Sequence, residues 1–193
     1  MEEIIKTANL KKVYGLDTPY PKTALNGVSI SVNKGTFACI MGTSGSGKTT
    51  LINILSTIDE ATSGKLLIFD QNIVGLSDKE KANIRKRYMG FIFQDYNLLD
   101  NMTLQDNIAL PLSLNGKRSR EIIEKTKQMA SLFGLSEHLN KYPYQLSGGQ
   151  KQRGASARAL ITNPRIIFAD EPTGALDSKS SKDFLISLKK ANE

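Results

Sequence analysis

Apolar and polar positions along the chain follow two rhythms. Residues 4–14 start as a strand, and 24–32 alternates in period two until Asn33-Lys34-Gly35 marks a turn. The loop between them, 15–23, is turn-rich and holds two prolines. An apolar run at 36–41 reads as a buried strand, and after a Gly/Ser-rich loop a helix is expected over 47–57. A strand follows at 65–69. Ser77-Asp78-Lys79-Glu80 has the spacing of a capping box and opens a charged helix to about Tyr88. Residues 90–93 return to strand. From 95 to 162 the β pattern vanishes, and 103–114 and 119–133 show helical spacing. A buried strand at 165–169 and an amphipathic helix at 178–190 close the pattern. Alternating strands and helices predict a layered α/β domain, with a parallel-sheet core interrupted by a helical insertion.

Composition narrows the options. The 193 residues are 39% hydrophobic and 23% charged, which suits a globular chain that needs no disulfide or metal staple. A single cysteine, Cys39, excludes an internal disulfide and a cysteine-clustered zinc site. A single histidine, His138, excludes a multi-histidine metal centre. The N-terminus lacks a signal-peptide pattern, and no apolar run approaches the ~18 residues of a membrane span. The expectation is a soluble, intracellular, reduced protein. The net charge of +7 is spread over 19 lysines and 7 arginines in small clusters such as Arg85-Lys86-Arg87. Without an aromatic-interleaved basic helix, these read as solvated faces, Lys12 among them, and no nucleic-acid partner is expected.

Three motifs bear on chemistry. Gly42-Thr43-Ser44-Gly45-Ser46-Gly47-Lys48-Thr49, followed by Thr50, fits the P-loop pattern. Its glycines let successive N–H groups converge on phosphate oxygens at a helix N-terminus. Lys48 can reach the β- and γ-phosphates, and the Thr49 hydroxyl can ligate Mg²⁺. Ile166-Ile167-Phe168-Ala169-Asp170-Glu171 ends an apolar strand in two carboxylates, at the sheet edge where ligands of α/β folds bind. Asp170 is expected to hold the metal through a water, and Glu171 to polarise the water that attacks the γ-phosphate. Leu146-Ser147-Gly148-Gly149-Gln150 is a second glycine turn opening a helix, this one running to Ala159.

That third run resembles the signature sequence of ABC ATPases, and with the other two motifs the resemblance spans essentially the whole chain. It implies a P-loop NTPase core with a mainly parallel sheet, an N-terminal antiparallel β subdomain and an inserted helical subdomain. Residues 1–94 and 163–193 would form the catalytic core and 95–162 the helical signature subdomain. Further residues take roles through the resemblance. Gln94 is similar to the Q-loop glutamine that senses Mg²⁺, Tyr14 to the aromatic that stacks on adenine, and Gly174-Ala175-Leu176-Asp177 to the D-loop. Ser147, Gly148, Gly149 and Gln150 would face ATP bound to a second copy of the chain, giving a homodimer closed by ATP.

The run 90–112 resembles the bacterial subgroup of lipoprotein-release, macrolide-export and peptide-resistance ATPases, and 169–178 is most similar to the peptide-resistance, bacitracin-type branch. The implied function is the ATP-hydrolysing subunit of an exporter, peripheral on the inner face of the cell membrane and docked on a separate transmembrane permease. Leu98, Leu99, Met102 and Leu104 are candidates to line the permease groove, with core packing as the other reading. The family's γ-phosphate-contacting histidine, on a strand after the D-loop helix, has no counterpart before Glu193. The expectation is therefore a C-terminally shortened chain that binds ATP, with an ATP-binding form lacking turnover as the second reading. A DNA-repair or translation ABC ATPase is disfavoured by the short helical insertion, and a GTPase by the absence of an Asn-Lys-x-Asp motif. Gly154, inside the signature helix, is a second departure, costing up to ~1 kcal/mol in helix propensity.

Overall fold

A computed structural model describes residues 2–173 and Ser181. The D-loop run 174–177 and, Ser181 apart, the expected helix at 178–190 lie outside the described residues. The chain divides into two compact units, one up to Asn83 and the other from Ile84.

The first unit holds a five-stranded antiparallel sheet. β1 (Glu3–Tyr14) is its centre, paired with β2 (Lys22–Val28), β3 (Ser31–Asn33) and β4 (Ser63–Ile68), and β5 (Gln71–Asn72) extends β4. Ile5 and Leu10 of β1 and Leu66 and Ile68 of β4 turn inward. Leu51, Ile54 and Leu55 of α1 (Lys48–Leu55) are buried as well. The apolar run 36–41 departs from expectation. It pairs with no strand among the described residues, and Phe37, Ile40 and Met41 are exposed. Hydrophobicity alone does not make a strand, because the backbone groups need a ladder to join. α2 (Asp78–Tyr88) begins at the expected capping box: Ser77 N and Oγ donate to Glu80 Oε2 at 2.9 and 2.6 Å.

The second unit joins two parallel strands to a helical core. β6 (Met89–Ile92) and β7 (Ile166–Ala169) pair in parallel, with Phe91 opposite Phe168. Their rings stack at 5.9 Å. α3 (Leu104–Leu114), α4 (Ser119–Leu132) and α5 (Gly148–Leu160) bury one cluster, which includes Leu104, Ile108 and Leu112 at helical spacing together with Ala130 and Ala157. Each buried leucine or isoleucine contributes roughly 1.5–3 kcal/mol. Gly154 is explained here. A Cβ at that position would lie 2.6 Å from Leu104 Cδ1, so the glycine lets α5 and α3 approach, offsetting its poor propensity. Among the described residues, no helix is long and apolar enough to cross a membrane.

Candidate nucleotide-binding site

In the first unit the site is a turn and the helix it opens. Ser46 N donates to Thr43 O at 3.3 Å, which closes the loop, and Leu51 N donates to Gly47 O at 2.8 Å, which starts α1. Gly47 is the N-cap, with φ 90°, and a Cβ there would lie 2.5 Å from Ala24 O, so both conformation and space demand glycine. No side chain caps α1, and its first turn holds no acidic residue. The N-cap residue, a glycine, thus supplies no side-chain acceptor to the positive end of the helix. Lys48 folds back over the turn, its Nζ donating to Gly42 O at 3.0 Å and Thr43 O at 2.8 Å. Thr43, Ser44, Gly45 and Ser46 are exposed, so the expected residues from Gly42 to Thr50 sit on one accessible loop and the first turn of α1.

Tyr14 ends β1 as a residue 42% exposed, and its hydroxyl donates to Asp59 Oδ2 at 2.8 Å. Lys12 corrects the sequence expectation. It is not a solvated surface lysine: its side chain is only 13% exposed, and its ammonium reaches Asp59 Oδ1 and the Glu60 carbonyl, both at 2.7 Å. Partial desolvation pushes the Asp59 carboxyl up, but hydrogen bonds from Lys12 and Tyr14 outweigh it and hold the group below its ordinary value.

In the second unit β6 and β7 end together. Ile92 is in register with Ala169, and Asp170 N donates to Ile92 O at 3.0 Å. Gln94, Asp170 and Glu171 therefore leave the same carboxyl edge of the parallel pair. Gln94 and Glu171 are exposed and Asp170 is half-buried; Glu171 holds a left-handed φ of 43°. After Gln94, two side chains clamp the loop. Arg158, whose guanidinium burial pushes downward from its ordinary value, donates to the carbonyls of Tyr96 (2.8 Å) and Asn97. The fully buried Asn107 amide accepts from Leu99 N at 2.7 Å and donates to the carbonyls of Leu99, Met102 and Thr103. Of the groove candidates, Leu99 is exposed and Leu98 and Met102 are half-buried. Leu104 is not available to a partner: it is fully buried in the helical core, where its place in the α3 repeat puts it.

The signature run forms a closed cap. Gln150 N donates to Ser147 Oγ at 3.3 Å, and Ser147 N donates to Gln150 Oε1 at 2.8 Å. With that oxygen committed, the Gln150 Nε2 group lies 2.9 Å from His138 Nε2. The ring nitrogen must accept there, which puts the ring hydrogen on Nδ1. His138 has no place in the sequence expectations for the site, and neither do Asp59, Asn107 and Arg158. The partners of Asp59 and Arg158 lie far along the chain, 45 residues for Asp59 and Tyr14 and 61 and 62 for Arg158, beyond any local pattern. Each of Thr49, Gln94 and Asp170 carries an oxygen donor, a hydroxyl, an amide carbonyl and a carboxylate respectively, of the hard kind that Mg²⁺ takes. Among the described residues, no group of three or more His, Cys, Asp or Glu could hold a metal ion.

A model of the ABC transporter family matches residues 25–174. The chain is 50% identical over 190 residues to the bacitracin export ATP-binding protein BceA of Halalkalibacterium halodurans, spanning 98% of this chain and 75% of that protein. It is 44% identical over 196 residues to the macrolide export ATP-binding/permease protein MacB of Syntrophobacter fumaroxidans, covering 99% of this chain but 27% of MacB. The fold superposes on the ATP-binding cassette MJ0796, solved as a dimer in a post-hydrolysis state bound to ADP and Pi. The TM-score is 0.92 at 39% identity, over 98% of this chain and 83% of that one.

Proposed function

The chain belongs to the ABC transporter family, and we propose that it is the subunit that binds and hydrolyses ATP to drive a separate membrane permease. The cargo class is antimicrobial peptides, lipoproteins or similar amphipathic molecules, and the subunit works at the cytoplasmic face of the membrane. The observation that supports the nucleotide reading best is the arrangement at 42–49: a cation folded over an accessible turn at a helix start no side chain caps. The likeness to BceA across 98% of the chain supports the export reading.

In this reading Lys48 exchanges two backbone carbonyls for the β- and γ-phosphates, while backbone N–H groups of the loop and of the first turn of α1 donate to the remaining oxygens. Tyr14 stacks on the adenine. Thr49, Gln94 and Asp170 would hold Mg²⁺, Asp170 through a water. Mg²⁺, when bound, offsets charge on the phosphate oxygens. Glu171 polarises the attacking water from the same strand edge as Asp170, and Gln94 positions it. The Ser147 oxygen already accepts from Gln150 N, so its hydroxyl hydrogen is left to donate to the γ-phosphate of ATP held by a second copy of the chain. Gly148, Gly149 and Gln150 complete that second cradle. Functionally, 1–94 and 163–193 serve the nucleotide and 95–162 carries the signature.

Phosphate release from the purified chain with Mg²⁺-ATP tests turnover. Release above background is expected; binding without release would reduce the chain to a nucleotide-binding unit. Glu171→Gln is expected to hold an ATP-loaded dimer on size-exclusion chromatography, and a monomer under saturating ATP would rule out the two-copy site. Co-purification with a multispanning membrane protein, rather than with nucleic acid, is expected for the export reading.

A further inference from the structure

The side chain of Tyr14 is held by two groups that the nucleotide reading does not use. Its hydroxyl donates to Asp59 Oδ2 at 2.8 Å. The Lys12 ammonium lies over its ring, 4.7 Å from the centroid, and bonds the other Asp59 oxygen at 2.7 Å. Asp59 is itself tied down: Glu60 N donates to Asp59 Oδ1 at 2.7 Å. The backbone ties the same segment to α1, because Asp59 N and Ile58 N both donate to Asn53 O, at 3.1 and 2.8 Å. On the other side Thr62 N donates to Lys11 O at 2.8 Å, and Val13 N donates to Thr62 Oγ1 at 2.9 Å. A continuous run of hydrogen bonds thus leads from the helix that starts at Lys48 to the phenol of Tyr14.

We infer that Asp59 and Lys12 are positioning residues for base recognition: Asp59 fixes the Tyr14 ring relative to the phosphate-binding helix, and Lys12 covers one ring face so that the base stacks on the other. The inference rests on the reading that Tyr14 stacks on adenine. The physical reason is preorganisation. A half-exposed tyrosine at a strand end would otherwise lose rotamer freedom each time it met a base. A phenol hydrogen bonded to a carboxylate is already placed, and a charge-assisted bond of this kind is among the stronger ones. A cation over one face of the ring occupies that face through the ring quadrupole, leaving a single face for stacking.

The test separates base from phosphate. Affinities of the 193-residue chain for Mg²⁺-ATP and for inorganic tripolyphosphate are measured by calorimetry for the parent and four variants: Tyr14→Ala, Tyr14→Phe, Asp59→Asn and the Phe/Asn pair. Tyr14→Ala is expected to weaken ATP about 10-fold, the scale of losing one base–aromatic stack. Tyr14→Phe removes the donor of the bond, and Asp59→Asn removes its charge and leaves one acceptor oxygen for Tyr14 and Lys12 to share; each is expected to weaken ATP about 3-fold, and the pair by less than the product of the two. Tripolyphosphate affinity is expected to stay unchanged throughout. If Tyr14→Ala weakens ATP while Asp59→Asn and Tyr14→Phe do not, stacking stands and the positioning role falls. If Tyr14→Ala leaves ATP affinity intact, the stacking reading itself fails and takes the inference with it. If Asp59→Asn weakens tripolyphosphate as much as ATP, its role is general to the fold, and the inference is overturned.

Discussion

Two helices in this chain open at turns of serine and glycine, and they open in opposite ways. α1 starts at Gly47, whose left-handed backbone supplies no side-chain cap, and the nearest charge is a lysine folded over the loop's own carbonyls. α5 starts at Ser147, in an extended conformation, with a reciprocal Ser147–Gln150 cap backed by His138. The first turn has no side-chain cap from its N-cap glycine and holds its cation on neutral carbonyl partners, so an incoming phosphate offers that cation a stronger set of bonds than the loop does. The second satisfies its own backbone first and has only a hydroxyl hydrogen and glycine amides left to present. A turn of the first kind suits the primary hold on an anion. A turn of the second kind suits closing over one already held elsewhere.

Substitutions break this contrast by different amounts. Lys48→Ala removes the charge that distinguishes the first turn and is expected to weaken ATP by more than about 100-fold in calorimetry, as the loss of charge-assisted bonds to phosphate implies. ATP affinity within tenfold of the parent would refute its role. Gly154→Val forces a side chain into the space of the fully buried Leu104. It is expected to lower stability by about 1–3 kcal/mol in urea unfolding, with ATP affinity of the folded fraction unchanged. Ser147→Ala strips the cap from α5 and is expected to cost about 1 kcal/mol in the same measurement. In a Glu171→Gln background it should also abolish the ATP-held dimer while leaving monomer affinity intact. A dimer that persists would mean that the capped turn plays no part in closure.

The smallest effect is a pH dependence at the Tyr14 anchor. The folded Asp59 carboxyl sits below its ordinary value, so the stability it contributes is present above the unfolded aspartate range and lost as pH falls through the depressed folded value. Asp59→Asn is therefore expected to differ most from the parent near neutrality and to converge with it on acidification. Parallel stability curves through the acid limb would show that the carboxylate has no net effect.

Much of the site was legible because its chemistry is local. The turn at 42–49, the carboxylates closing the 166–171 run and the glycine turn that opens a helix at 147–150 each lie within a few consecutive residues, where spacing alone sets geometry. The capping box at Ser77 and Glu80 was legible for the same reason. The apolar run 36–41 was misleading, since composition reports which residues could be buried and not which backbone will pair. Lys12 was misread because it looks like any surface lysine until Asp59 comes to it from 47 residues away. Gly154 looked like a defect until the side chain of Leu104 explained it.

The order of residues by itself determined where helices start and strands end, and so which groups stand at which turn. Those are matters of bonds between neighbours along the chain. Only the tertiary structure decided which carboxylate holds the Tyr14 ring, which guanidinium clamps the loop after Gln94, and which leucine has no room beside a glycine. Those depend on approach between segments tens of residues apart, where burial removes water as the competing partner and a single opposing group settles what each side chain does.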